Sequence, residues 1–374
     1  MNKKFFIKTI FLTMIGFGLT LMLPIYYLVV NNEMISYKKI QEMQKDNNVK
    51  LGFQFRDFKD EMGYKLYHYL NNDYKVISLG NSRVMQFREF FFKKNIFYNL
   101  GGMIQDLEDY SKFIEFLPKE KLPEVIILSM DHFFFNDNFP KSHIINMQKL
   151  TNEKNIMEII FDLKRILKIN KQFFSDYISN NILRIQIKKN IGYLANRTNS
   201  GFVSDGSYYY GKIIKEDPSI VEKIEDSLKR IEEKRSRFEL GKEISNISLK
   251  EVDNFLKICR GNNIEIIGFL PPYSDYVLEK MALEKENYVY VFFLFEKLKE
   301  IFQKYNYQLY DFTSIRKNDG KDNEIIDGFH GTEVYYLRIF IKMLENNKKL
   351  QQYSQDKEIL KEYLKNRKSE YEVF

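Results

Sequence analysis

Residues 74–83 read Tyr74-Lys75-Val76-Ile77-Ser78-Leu79-Gly80-Asn81-Ser82-Arg83, a short β-branched apolar run that stops at a glycine and gives way to small polar residues. A run of this length and composition is a buried strand ending in a turn. Two similar runs follow, at 95–100 and 124–130. Between them, Ile104, Leu107, Tyr110, Ile114 and Leu117 recur at helical spacing, so 74–130 contains a β-α-β unit. Two later runs, at 264–270 and 307–312, each come after a helix, the first at 249–260 and the second within 288–305; a last helix follows His330 and reaches about residue 346. Near-continuous apolar strands that alternate with helices call for a parallel sheet covered on both faces. The expected fold class is α/β.

Well over 100 residues separate the third run from the fourth, more than an ordinary crossover needs. Residues 138–246 are therefore read as an insertion with its own helices, at 157–169 and 221–238. The second is charged on nearly every side, as a solvated helix would be. The expected organisation is an anchor within 1–34, a polar stalk over 35–72, the α/β domain over 73–345 and a helical tail over 346–374. With 374 residues, 44% hydrophobic and 29% charged, and only 17 Gly and 7 Pro, the chain can bury a large core and is neither collagen-like nor compositionally disordered. One cysteine, Cys259, excludes an intrachain disulfide, and with only His68, His132, His143 and His330 beside it no structural zinc cluster is expected. No cofactor is implied. The net charge of +7 is dispersed and forms no basic arm, so nucleic acid is not an expected partner.

Residues 9–30 carry no charge. At about 1.5 Å per residue, a helix of this length crosses a hydrocarbon core of roughly 30 Å. Lys3, Lys4 and Lys8 precede the segment and Glu33 is the first charge after it, which places the N-terminus inside the cytoplasmic membrane and the remainder outside. No small-residue cleavage site lies around Pro24 to Leu28, so the segment reads as an uncleaved single-pass anchor, with Tyr26 and Tyr27 in an interfacial aromatic belt.

In a doubly wound sheet the ligand sits beyond the carboxyl ends of the strands. The residues there are Gly80-Asn81-Ser82-Arg83, Asn99-Leu100-Gly101-Gly102, Asp131-His132 and, before the last helix, Asp327-Gly328-Phe329-His330. A serine hydroxyl needs a general base, and the base needs a partner that sets its tautomer. Ser82, His330 and Asp327 supply these types, with the acid three residues before the histidine. A developing oxyanion needs N–H donors near the nucleophile and at a glycine, for which Ser82 and Gly101 or Gly102 are the candidates. Two further features stand apart. The aromatic segment 205–211 is either a lid that contacts sugar or a plain turn. The basic residues Lys164, Arg165, Lys168, Lys171, Arg184, Lys188 and Lys189 form either a solvated face or a surface for an anionic polymer or lipid headgroups.

Taken together, Gly80-Asn81-Ser82, Asn99-Leu100-Gly101-Gly102 and Asp327-Gly328-Phe329-His330, in this order, resemble the SGNH/GDSL hydrolase superfamily. With the N-terminal anchor, the variant Gly80-Asn81-Ser82-Arg83 and Pro271-Pro272-Tyr273 after the fourth strand, they are closer to its membrane-anchored branch, which includes alginate O-acetylation and teichoic acid D-alanyl-transfer proteins. The resemblance implies a flavodoxin-like sheet, Ser82 as nucleophile, His330 as base, Asp327 as its orienting acid and Gly101 or Gly102 as oxyanion donor. Asn81, Arg83, Asp131 and Tyr273 are the expected substrate-contacting side chains. The implied partners are a cell-surface glycan and a multi-pass membrane O-acyltransferase. Two departures stand out: Asn81 replaces the usual acid before the serine, and Met130 occupies the place of the asparagine that ordinarily helps hold the oxyanion, with Asn136 the nearest substitute. The alternative expectation is a non-catalytic scaffold of the same fold that binds glycan or the membrane partner.

Overall fold

The computed structural model describes residues 3–140, 145–153, 162–179 and 189–374; His143, Arg184, Lys188 and the beginning of the helix expected at 157–169 lie outside them. The chain forms two compact units, Met1–Tyr64 with Leu150–Ser204, and Lys65–Lys149 with Asp205–Phe374.

The second unit holds a five-stranded parallel sheet. Its strands are β1 (Val76–Gly80), β2 (Phe97–Gly101), β3 (Val125–Ser129), β4 (Glu265–Leu270) and β5 (Gln308–Asp311), in the order β2-β1-β3-β4-β5. All five expected strands are present, and the α/β class holds. The order reverses between β1 and β3, so the switch point falls beside the carboxyl end of β1, immediately before Ser82. β1, β2 and β3 are buried throughout, in keeping with their near-continuous apolar runs, whereas β5 at the sheet edge ends on the exposed Asp311. Alternation along β4 sets the two helical layers. A Cβ at Gly268 would collide with Phe302 of the helix Leu294–Lys304, while the next side chain, Phe269, meets Tyr336 of the helix Glu333–Asn346 at 6.3 Å between ring centroids. These helices therefore cover opposite faces.

Several expectations change. Residues 35–72 are not an exposed stalk: Ile40, Leu51 and Leu66 are fully buried, and every residue from Asp60 to Leu66 in the helix Phe58–Leu70 is buried. The insertion is divided between the two units, at 149/150 and again at 204/205. The charged helix spans Ile220–Glu232 and buries Lys223, Ile224, Ser227 and Ile231 along one side, so it is not solvated all round. The C-terminal stretch is helical at Lys348–Tyr353 and Lys357–Lys365, and it is held down at its end by buried Tyr371 and Val373.

At the N-terminus, one α-helix runs over Lys3–Val30. Among the described residues no helix is long and apolar enough to cross a membrane. The side chains at 15 and 17–21 of this helix are not among those described. Its last turn enters protein: Tyr27 and Leu28 are buried with Phe55, Ile169 and Tyr193, while Tyr26 stays exposed. Only one of the two tyrosines thus has the exposure of an interfacial belt.

Candidate active site

The chain leaves β1 through Asn81, whose side-chain Oδ1 accepts the Arg83 N–H at 2.8 Å and caps a single 3-10 turn, Ser82–Val84. This cap places Ser82 at the first position of the turn, over the switch point. The turn is held from below by buried Asn99: its Nδ2 donates to the carbonyls of Val84 (2.8 Å) and Phe87 (2.9 Å).

On the far side of the sequence, Asp327-Gly328-Phe329-His330 forms a tight turn ahead of the helix Glu333–Asn346. Gly328 has φ +87°, and a Cβ there would lie 2.8 Å from Ser227 Oγ, so the position needs glycine for both its backbone and its space. The turn brings His330 Nε2 to 2.8 Å from Ser82 Oγ, across 248 positions of sequence. His330 Nδ1 lies 2.9 and 2.8 Å from the two oxygens of Asp327. Asp327 Oδ1 also accepts the backbone N–H groups of His330 (3.0 Å) and Phe329 (3.3 Å). Enclosure by protein would raise the Asp327 pKa, although 41% of the side chain remains open; the imidazole and these N–H donors outweigh it and hold the carboxyl below the usual range. An ionised carboxylate can only accept, so Nδ1 carries the hydrogen and Nε2 is left to accept from the Ser82 hydroxyl.

His132, the other histidine at a strand end, cannot compete as base. It is fully buried, its Nε2 is 2.9 Å from Thr313 Oγ1, and burial together with the Arg83 charge pushes its pKa well down.

The expected oxyanion donors fare differently. The Gly101 N–H donates to Asn99 Oδ1 at 2.8 Å, and the Gly102 N–H donates to the carbonyls of Gly80 and Asn81, both at 3.0 Å. Both glycines are thus engaged in shaping the turn, and of the three candidates only the Ser82 N–H has no partner among the described residues. Asn136 is also engaged, donating to Glu239 O at 2.7 Å and accepting from Asn138 N–H at 3.0 Å. Met130 is wholly buried.

The expected substrate-contacting residues are corrected as a group, because Asn81, Arg83, Asp131 and Tyr273 are all buried. Arg83 lies 3.5 Å from Asp131, its guanidinium sits 4.4 Å from the Tyr273 ring centre, and it donates to the Pro272 carbonyl. A guanidinium neutralised by a carboxylate and covered by an aromatic ring can stay in the interior, where it braces the site and has no access to substrate.

Sequence reasoning missed other contributors. Lys65, assigned to the stalk, is buried and its Nζ donates to the carbonyls of Gly101 (2.6 Å) and Gly206 (2.8 Å). Segment 205–211 is fastened to the loop after Ser82 by Tyr208 N–H to Met85 O (3.0 Å) and Gln86 Nε2 to Tyr208 O (2.7 Å), so it is a fixed wall. Burial and the neighbouring Asp327 carboxylate push the Tyr210 phenol well above its ordinary pKa, so it stays protonated beside the site. The aromatic run was the visible signal for this wall. Lys65 carried none.

No protein-family model and no curated protein sequence matches the chain. The functional reading therefore rests on geometry.

Proposed function

We propose that the chain is an SGNH-type serine acyltransferase or esterase that modifies a cell-surface polysaccharide from the outer side of the cytoplasmic membrane. The observation that carries this reading is the continuous relay from Ser82 through His330 to Asp327, with contacts of 2.8 to 2.9 Å at each step. In the reaction, the Ser82 hydroxyl proton passes to His330 Nε2 as Oγ bonds to the acyl carbonyl carbon. The oxyanion faces the Ser82 N–H, the leaving alkoxide takes the proton from His330, and an acyl-Ser82 remains. A sugar hydroxyl, or water in an esterase, then attacks by the same route in reverse. Asp327 stays an anion and stabilises the imidazolium. No cofactor enters this chemistry.

The anchor belongs to the same proposal. Phe5, Ile7, Ile10, Phe11, Leu12 and Met14 are all exposed on the N-terminal helix, as lipid-facing side chains would be, and residues 9–30 are uncharged. A multi-pass membrane O-acyltransferase would then supply the acyl group. One observation favours the alternative of a non-catalytic scaffold: both glycine N–H groups are occupied, which leaves a single backbone donor for the oxyanion.

Fluorophosphonate labelling separates the two readings. The wild-type chain is expected to be labelled at Ser82 and Ser82→Ala to be folded but unlabelled. An unreactive wild-type chain, or a Ser82→Ala variant labelled as well as wild type, would remove the catalytic reading.

A further inference from the structure

The last two turns of the N-terminal helix are covered by protein on one side only: Pro24, Tyr27 and Leu28 are buried, while Met22, Tyr26 and Val29 are exposed. The cover is the helix Leu163–Ile178, which belongs to the same compact unit. Phe173 meets the Tyr27 ring edge-on at 5.7 Å between centroids, and Ile169 packs in one cluster with Tyr27 and Leu28. The buried Asp176 carboxylate accepts from the hydroxyls of Tyr27 and Tyr193, and Lys168 Nζ donates to the Gln54 carbonyl at 3.0 Å. The helix is therefore fixed against positions 24–28, which fall inside the uncharged stretch 9–30.

The outer side of this helix mixes two kinds of residue. Lys164, Leu167, Lys168, Lys171, Phe174 and Ser175 are all exposed, and at 3.6 residues per turn they fall within an arc of about 120°. Leu167 and Phe174, two turns apart on one edge of the arc, keep 61% and 54% of their surface open. Lys164 and Lys171 run along its middle, and among the described residues neither ammonium has a carboxylate partner; the nearby Asp162 faces Arg165 at 3.8 Å. Leucine and phenylalanine beside lysines on one helix surface suit the boundary between acyl chains and headgroups. The depth agrees. From Pro24 to the end of the helix at Val30 the rise is about 9 Å, and a helix lying in that boundary sinks by roughly 5–10 Å.

We propose that the helix Leu163–Ile178 lies in the outer face of the bilayer, with Leu167 and Phe174 among the acyl chains and Lys164 and Lys171 on the phosphates of anionic phospholipids. The inference rests on the reading of the N-terminal helix as an anchor. With one side held against the anchor at that depth, the helix has lipid for its other neighbour, and the first unit gains a second contact that fixes its orientation on the membrane.

The chain contains no tryptophan, so one substitution supplies a unique fluorescent reporter. Phe174→Trp, Leu167→Trp and, in the anchor, Met14→Trp are each made in the full chain and reconstituted in vesicles of phosphatidylcholine with a minor fraction of phosphatidylglycerol. Lipids brominated on the acyl chain are expected to quench all three at least about twofold, and the reporters at 167 and 174 to be shielded from aqueous iodide. With bromine on only one of the two lipids, quenching at 174 is expected to show a preference for phosphatidylglycerol of about fivefold or more, the value of one lysine near an anionic surface. Lys164→Gln combined with Lys171→Gln is expected to abolish that preference. If the reporter at 14 is quenched by lipid while those at 167 and 174 are open to iodide and untouched by it, the proposal is overturned and the anchor stands. No quenching at any of the three removes both. Equal quenching at 174 by the two lipids, or a preference that survives loss of both lysines, would also overturn the proposal.

Discussion

Replacing Asp327 by asparagine tests the relay where its geometry is most demanding. The two carboxylate oxygens have different duties: Oδ1 accepts backbone N–H groups from His330 (3.0 Å) and Phe329 (3.3 Å), whereas Oδ2 makes the shorter contact, 2.8 Å, with Nδ1. An asparagine has only one acceptor oxygen, and the two backbone donors will hold it at the Oδ1 position. Its NH2 group then falls at the Oδ2 position, facing Nδ1. A donor there opposes an Nδ1–H and favours the tautomer with hydrogen on Nε2, which points a donor at Ser82 Oγ where an acceptor is required. The side chain is nearly isosteric, so folding is expected to persist. The loss of correct tautomer and of the charge that supports the imidazolium is expected to slow acylation about 10³- to 10⁴-fold. The assay is the second-order rate constant for fluorophosphonate labelling of wild-type, Asp327→Asn and Ser82→Ala chains, with thermal melts as the folding control. A folded Asp327→Asn chain that labels within about threefold of wild type would refute the argument that this carboxylate sets the tautomer.

Two further outcomes concern the scaffold. Glu33 is fully buried, and burial raises its pKa to about 7 despite N–H donors from Gln54 (2.9 Å) and Tyr193 (2.8 Å). A raised folded-state pKa means that its contribution is complete below the unfolded value and is lost as pH rises toward 7, so the first unit should weaken by about 3 kcal/mol over that interval. Glu33→Gln should flatten this slope and gain stability at pH 8, and denaturant titrations at pH 5 and pH 8 measure it; equal slopes in both chains would reject the argument. Gly328→Ala is expected to cost about 1–3 kcal/mol, from strain at φ +87° and the approach to Ser227 Oγ. It should also lower labelling at Ser82 by displacing His330, and a variant with unchanged melting and labelling would count against that account.

The pattern of apolar runs and intervening helices was enough to specify a parallel α/β sheet, because strand length, β-branching and helical spacing are local properties. The same locality made Gly80-Asn81-Ser82 and Asp327-Gly328-Phe329-His330 visible as strand-end and helix-entry turns. It failed for residues whose role depends on what a distant part of the chain brings to them. Lys65 in sequence is one lysine among many; its two carbonyl partners come from Gly101 and Gly206. Arg83 and Asp131 looked like polar residues at a ligand edge, but their mutual pairing and the Tyr273 ring permit complete burial. The glycines at 101 and 102 looked free to donate, and their N–H groups are taken by Asn99, Gly80 and Asn81.

What composition and periodicity alone determined was the sheet, its helices and the residue types able to form a proton relay. Tertiary structure decided which of those groups meet. The crossing at the β1/β3 switch point sets Ser82 against His330, and the turn at Gly328 sets His330 against Asp327. Hydrogen bonding and charge pairing act over a few ångströms of space, while periodicity is read along the chain, so the pairing of positions 248 residues apart follows only from the folded topology.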